Sequence, residues 1–245
     1  QFTIITVVRN DLAGLKKTAE SVCSQSFTDY EWIVIDGAST DGTIEYLQSL
    51  DTPSCRWISE PDRGIYDAMN KGIQMGSGEY VVFLNAGDAL PETETLALVS
   101  QNLASSDYPD VLFGSAQLVF ANGKSIRRPP KNMNTYIWHG LPANHQATYY
   151  KRDTLGDLLY DLDYKISGDY FIIAKLYLKG IHAAYLNQSI VQFSVGGASY
   201  QNRKLLFLEP YRIQRDVLRQ SFPLRLASLC KRLIATAGMV FLQKL

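Results

Sequence analysis

Hydrophobic and polar positions along the first hundred residues fall into two kinds of block. Phe2–Val8 and Tyr80–Leu84 are unbroken runs of aliphatic, β-branched and aromatic residues, and Glu31–Ile35 and Arg56–Ser59 are shorter runs of the same kind. Such runs are expected of strands buried on both faces. Between them apolar residues recur every three or four positions: Leu12, Leu15, Ala19, Val22 and Cys23, then Ile44, Leu47 and Leu50, then Ile65, Met69 and Ile73. That is the helical period. Strand and helix in alternation predict right-handed crossovers and an α/β domain with a mixed, mostly parallel sheet flanked by helices. Asp11 is placed to cap the first helix, and Gly76-Ser77-Gly78 is expected to end the third in a left-handed conformation. Further on, the pattern predicts a helix over Thr95–Leu103 and strands over Val111–Phe113 and Ala116–Phe120. Asn122-Gly123 reads as a two-residue turn within a hairpin over Gln117–Ile126. A helix over Tyr170–Tyr177 and strands over Gly180–Leu186 and Ile190–Val195 complete the body.

Each of the first four strands ends on polar residues: Arg9-Asn10-Asp11, Asp36 to Thr43, Glu60-Pro61-Asp62 and Asn85-Ala86-Gly87-Asp88. In a parallel sheet these loops share one edge, the edge where ligands bind. No G-x-G-x-x-G follows the first strand and no G-x-x-x-x-G-K-[ST] occurs, so a bound nucleotide would rely on side chains. Carboxylates and amides suit a base and ribose, and a divalent cation is the usual means of holding a diphosphate beside carboxylates.

The run from TIITVVRN through VIDGASTDGT and EPDRGIYDAMNKGI to GEYVVFLNAGD resembles the family-two glycosyltransferases of GT-A (Rossmann-like) fold, in particular the branch containing the colanic acid glycosyltransferases of bacterial exopolysaccharide clusters. The resemblance covers residues 2 to about 200. It implies an inverting transfer from a nucleotide-diphospho-sugar to a lipid-linked oligosaccharide. Carried over by position, it implies donor contacts at Thr6, Asn10, Asp36, Asp62 and Asn85. Asn85-Ala86-Gly87-Asp88 matches the D-x-D-D metal motif with Asp88 as the remaining carboxylate, implying Mg²⁺ or Mn²⁺. Ser167-Gly168-Asp169 resembles the catalytic-base motif, so Asp169 is the expected base. His145 and Gln146 occupy the acceptor-side loop and are expected to contact the acceptor or sugar. Gly196-Gly197-Ala198-Ser199 resembles the loop that closes the site. Arg127-Arg128-Pro-Pro-Lys131 reads either as a solvated loop or as a contact to a diphosphate.

The formal net charge is zero, but residues 201–245 hold nine Lys/Arg against two acids, which leaves an acidic body and a basic tail. The expected organisation is a glycosyltransferase domain over 1–200 and a basic amphipathic helical tail over 201–245. In the tail, Leu226, Leu229, Cys230, Leu233, Ala237, Val240 and Phe241 share one helical face, with Arg225, Ser228 and Arg232 opposite. Leu233–Leu242 is apolar over about half of the ~20 residues a span needs. The tail is therefore expected to lie on the inner membrane surface, or else to pack on the domain or form a homodimer face. Nucleic acid is not an expected partner. Cys23, Cys55 and Cys230 have no metal-ligand spacing, which argues for reduced thiols in a cytoplasmic setting, and the tail is what would make the protein peripheral to the inner membrane. Two rival readings stand beside the enzyme. One is a catalytically weak sugar-nucleotide-binding scaffold, suggested by the depleted metal motif; the other is a nucleotidyltransferase, which the lack of a glycine-rich phosphate loop disfavours.

Overall fold

The computed structural model describes residues 1–196 and 204–244, with 235–244 as a helical path only. Strands β1 (Phe2–Val8), β2 (Tyr30–Asp36), β3 (Cys55–Ser59) and β4 (Tyr80–Phe83) alternate with helices α1 (Leu12–Cys23), α2 (Thr43–Ser49) and α3 (Ile65–Met75). Helix α4 (Thr95–Ser105) leads to β5 (Val111–Val119) and β6 (Ser125–Arg128). The short α5 (Met133–Tyr136), β7 (Thr148–Lys151), the short α6 (Arg152–Leu155), α7 (Gly168–Leu178) and β8 (Ala183–Ser194) follow. Helices α8 (Leu205–Asp216) and α9 (Phe222–Lys244) end the described chain.

The sheet runs β3-β2-β1-β4-β7-β5-β6, with β8 paired to β5. The β1–β2, β1–β4, β2–β3 and β5–β8 pairs are parallel, and β7 and β6 enter antiparallel. Alternate residues of β1 feed two cores: Ile5 and Val7 pack with Met69 and Ile73 of α3, while Phe2, Ile4 and Val8 pack with Leu15 of α1. Trp32, Phe83 and Ile4 are among the largest fully buried side chains, and each such residue contributes about 1.5–3 kcal/mol of burial.

Three expectations are corrected. Gly76 and Gly78 are not left-handed: Gly76 has φ −79° and neither has a positive φ. Their reason is space, because a Cβ on Gly78 would lie 2.7 Å from the Phe2 carbonyl carbon, so only glycine lets this turn pass beside β1. The hairpin after β5 turns through three residues rather than two, since Phe120 N donates to Lys124 O and Gly123, at φ +80°, fills the left-handed position. Val111 to Val119 is one strand, not two, and Ala183 to Ser194 is likewise continuous, with a register shift where Gly114 admits Ile190.

The basic tail packs on the body through its polar side. Gln214 donates to the Trp138 carbonyl at 3.0 Å and Arg232 donates to the His139 carbonyl at 2.9 Å. The opposite side of α9 is left bare, with Leu226 47%, Leu233 50% and Ile234 75% exposed. No helix among the described residues is long and apolar enough to cross a membrane.

Candidate active site

The chain runs from β1 outward to β2 and β3, then returns through α3 to β4 on the other side of β1. Where strand order reverses, the flanking loops splay apart and leave a crevice at the carboxyl ends. A cavity of about 430 Å³ occupies that place, walled by Val8, Arg9, Asp62, Asn85, Asp88 and Ser194 among others. A second cavity of about 380 Å³ adjoins it; the two share Ile65, Asn85, Gln146 and Phe193, and the second contains Asp169.

The expected donor residues separate into two groups. Asp62 and Asn85 line the first cavity. Gly64 keeps Asp62 in place by donating its N–H to Oδ1 at 2.8 Å, and its φ of +118° at the start of α3 calls for glycine. Thr6, Asn10 and Asp36 do not line it. The Thr6 hydroxyl is fully buried, donating to Leu84 O at 2.7 Å and accepting from Trp32 Nε1 at 2.9 Å. It is a brace between strands rather than a nucleotide contact. Asp36 is also fully buried, and its carboxylate accepts from Ser39 N at 3.0 Å, from Ser59 Oγ at 2.6 Å and from Ser39 Oγ. Asn10 sits at φ +50° and accepts from Thr40 N at 2.8 Å. These two residues hold the loops after β1 and β2 together, through Ser39 and Thr40.

At the end of β4, Asp88 is buried, accepts from Ser194 N at 3.0 Å, and is raised by burial to about 7. The Ser194 N–H, the Lys17 charge and Gln146 act in the opposite direction. Asn85 Oδ1 is buried with no hydrogen-bond partner, an orphaned acceptor in the same loop. No group of three His, Cys, Asp or Glu side chains gathers among the described residues. One carboxylate with one neutral amide oxygen still fits Mg²⁺ or Mn²⁺, which take oxygen ligands and share their shell with phosphate and water.

In the second cavity, Asp169 lies in the first turn of α7, where Tyr170 N donates to Oδ1 at 2.7 Å. Burial raises its carboxyl to about 7, against the Tyr170 N–H and the Arg128 charge, which lower it. The His145 ring stacks on Phe83 at 4.8 Å, and its nitrogens face Tyr150 Oη at 3.3 Å and Tyr160 Oη at 3.2 Å. Burial lowers it to about 3, so the imidazole is neutral. With both nitrogens engaged, His145 holds the aromatic wall and has no free atom for a substrate. Gln146 stands between the cavities, facing Asp88. Residues 197–199 of the expected closing loop lie outside the described residues.

Residues 3–164 match the family described as Glycosyl transferase family 2. The chain belongs to that family. An uncharacterised glycosyltransferase of Mycobacterium tuberculosis is 32% identical over 170 residues, 68% of this chain and 65% of that protein. A protein of Mycobacterium bovis named PGL/p-HBAD biosynthesis glycosyltransferase is 30% identical over 174 residues, 69% of this chain and 66% of that protein. The chain thus spans just under two thirds of the length of these relatives. Among solved structures, TarS of S. aureus in complex with UDP-GlcNAc superposes with a TM-score of 0.71 at 16% identity, covering 95% of this chain and 71% of that one. Mannosyltransferase PcManGT of Pyrobaculum calidifontis, solved with GDP-Man and Mn²⁺, gives 0.63 at 20%, covering 97% and 75%. The shared architecture is GT-A.

Three residues around the site went unseen in the sequence. Arg9 lines the first cavity. Tyr66 packs against Gly168, where any Cβ would come within 2.9 Å of its ring. Glu209, buried on α8, accepts from the backbone N–H groups of Lys165, Ile166 and Ser167 at 2.7, 2.9 and 2.8 Å, tying the tail to the segment that delivers Asp169. A buried acid in a basic tail was the available signal, but its partners lie more than forty residues upstream.

Proposed function

We propose that this chain is an inverting glycosyltransferase that moves a sugar from a nucleotide-diphospho-sugar to a hydroxyl of a lipid-linked oligosaccharide. The observation that carries the reading is the junction of the two cavities: Asp88 and Asp169 open into adjoining spaces that share Asn85 and Gln146. The donor occupies the first cavity, where Asp62 faces its nucleoside. Family membership and the nucleotide-sugar ligands of the TarS and PcManGT structures support this. Mg²⁺ or Mn²⁺, held by Asp88 and Asn85 Oδ1, would neutralise charge on the departing diphosphate. The acceptor occupies the second cavity. Its hydroxyl gives its proton to Asp169 as the oxygen bonds to the anomeric carbon and the bond to the diphosphate breaks on the opposite face. A carboxyl raised to about 7 is well matched to that exchange near neutral pH.

The finer reading places the enzyme in bacterial exopolysaccharide or surface polysaccharide synthesis, on the strength of the colanic acid resemblance. The body over 1–200 holds the chemistry. The tail keeps the enzyme at the cytoplasmic face of the inner membrane, supported by the bare apolar side of α9 beside basic residues. A homodimer through that side is the second reading, and sedimentation of the protein alone and with anionic vesicles separates the two. A non-catalytic scaffold has no use for a desolvated carboxylate at Asp169. The deciding experiment measures release of UDP or GDP from a panel of nucleotide sugars, with and without Mn²⁺, by wild type and Asp169→Asn. Absence of turnover with every donor would refute the enzymatic reading.

A further inference from the structure

The charged residues among those described around the second cavity are Asp169, Arg128 and Arg232. The arginines come from unrelated elements, the end of edge strand β6 and the middle of α9. The Arg128 side chain has no hydrogen-bond or ion-pair partner among the described residues, and its charge acts on Asp169. Arg232 is aimed by its bonds to the His139 carbonyl at 2.9 Å and Ser228 Oγ at 3.2 Å, and Ser228 is itself held by Gln214. Asp62 and Asp88, by contrast, line the first cavity and neither arginine does. Arg128 of the basic segment therefore faces the acceptor side.

The Arg128 charge works against a general base taking a proton from a neutral sugar, because positive charge nearby weakens a carboxylate's basicity and opposes what burial gives Asp169. An anion bound between Arg128 and Arg232, which line the same cavity, offsets that charge, and the guanidinium fork matches phosphate oxygens. Resting on the acceptor reading above, we infer that the acceptor carries a phosphate group that seats between Arg128 and Arg232 while its hydroxyl faces Asp169. The phosphate belongs either to a lipid linkage or to a soluble phosphorylated glycan; both present the same charge and oxygen geometry.

Calorimetric titration of the full chain with n-hexyl phosphate, inorganic phosphate and the neutral control n-hexyl glucoside tests this without turnover. Arg128→Gln and Arg232→Gln should each weaken both phosphates by about tenfold or more, the equivalent of one charge-assisted hydrogen bond, and leave the glucoside unaffected. Arg128→Lys should retain part of the affinity. Tighter binding of hexyl phosphate than of inorganic phosphate supports the inference with a lipid source, and equal binding supports it with a soluble one. Arg128 is exposed on an edge strand, so its variant keeps the fold even where Arg232→Gln does not. Unchanged phosphate affinity in Arg128→Gln overturns the inference, as does displacement of hexyl phosphate by UDP, which would assign the arginines to the donor. Phosphate binding that persists in a protein unable to turn over any donor would sink the enzymatic reading alone.

Discussion

Glu209 offers the sharpest test of how the tail and the site are joined. Its carboxylate receives three backbone N–H groups from Lys165, Ile166 and Ser167, the residues that lead into α7 and Asp169. Lys165 is exposed and its N–H can turn to water, whereas the bonds from Ile166 and Ser167, both to Oε2, are sheltered. Glu209→Ala strands those two donors at about 1–3 kcal/mol each. Water entering the space left by the side chain recovers part of that, so a loss of about 3 kcal/mol is expected, or roughly 6–12 °C in Tm for a chain of this size. Glu209→Gln keeps one acceptor oxygen and should cost about 1 kcal/mol.

The effect on rate should exceed the effect on stability. A displacement of about 1 Å at a reacting group can cost 10²-fold, so kcat should fall by about 10- to 100-fold in Glu209→Gln while the donor KM, set in the other cavity, holds. The pH profile gives a sign that loosening alone would not. The Glu209 charge raises the Asp169 carboxyl, so its removal should move the acidic limb of kcat below its wild-type position near pH 7. Stopped assays of nucleotide release from pH 5 to 9, with thermal melts, supply both numbers. A Glu209→Gln enzyme with wild-type kcat and an unmoved limb, or one that lost donor affinity instead, would refute the reasoning.

Asp169→Asn should lower kcat by about 10²–10⁴-fold with donor affinity nearly unchanged, and the acidic limb near pH 7 should vanish. The same variant should melt at a higher temperature than wild type, by more at pH 8 than at pH 5. A carboxyl raised in the folded state penalises folding as pH climbs through about 7, and the amide escapes that penalty. Asp88→Ala should abolish transfer and remove any metal-dependent part of donor binding, while Asn85→Asp should raise apparent Mn²⁺ affinity; full wild-type activity in excess EDTA would contradict the first, and an unchanged Mn²⁺ affinity the second. Ile234→Glu, on the bare side of α9, should reduce cosedimentation with anionic vesicles without altering the melt, and equal pelleting would leave that side to a second copy. Glu31 is raised by burial, but the N–H groups of Ser77 and Gly78, the Thr3 hydroxyl and Arg56 outweigh this and hold it at about 2. Its stabilisation is present above the ordinary glutamate range and lost as pH falls toward 2, so Glu31→Gln should flatten the acid-unfolding limb.

Periodicity alone determined the α/β class, the extents of β1 and α1–α4 within a residue or two, and the edge on which the loops gather. These follow from local alternation, because burial on one or both faces of an element writes its own repeat into the sequence. Resemblance added Asp62, Asn85, Asp88 and Asp169, which the fold brings into two adjoining cavities. Only the tertiary structure decided which polar residues face a cavity and which brace a loop. Thr6 and Asp36 end in acceptors and donors supplied by Leu84, Trp32 and Ser59, and His145 ends between two tyrosines. Glu209 and Arg232, which read as ordinary charges in a tail, turn inward to the segment and the cavity around Asp169. A strand end carries the same Asp or Thr for either purpose. The difference lies in partners far along the chain, and a polar group's role is set by whether those partners or open space meet its lone pairs.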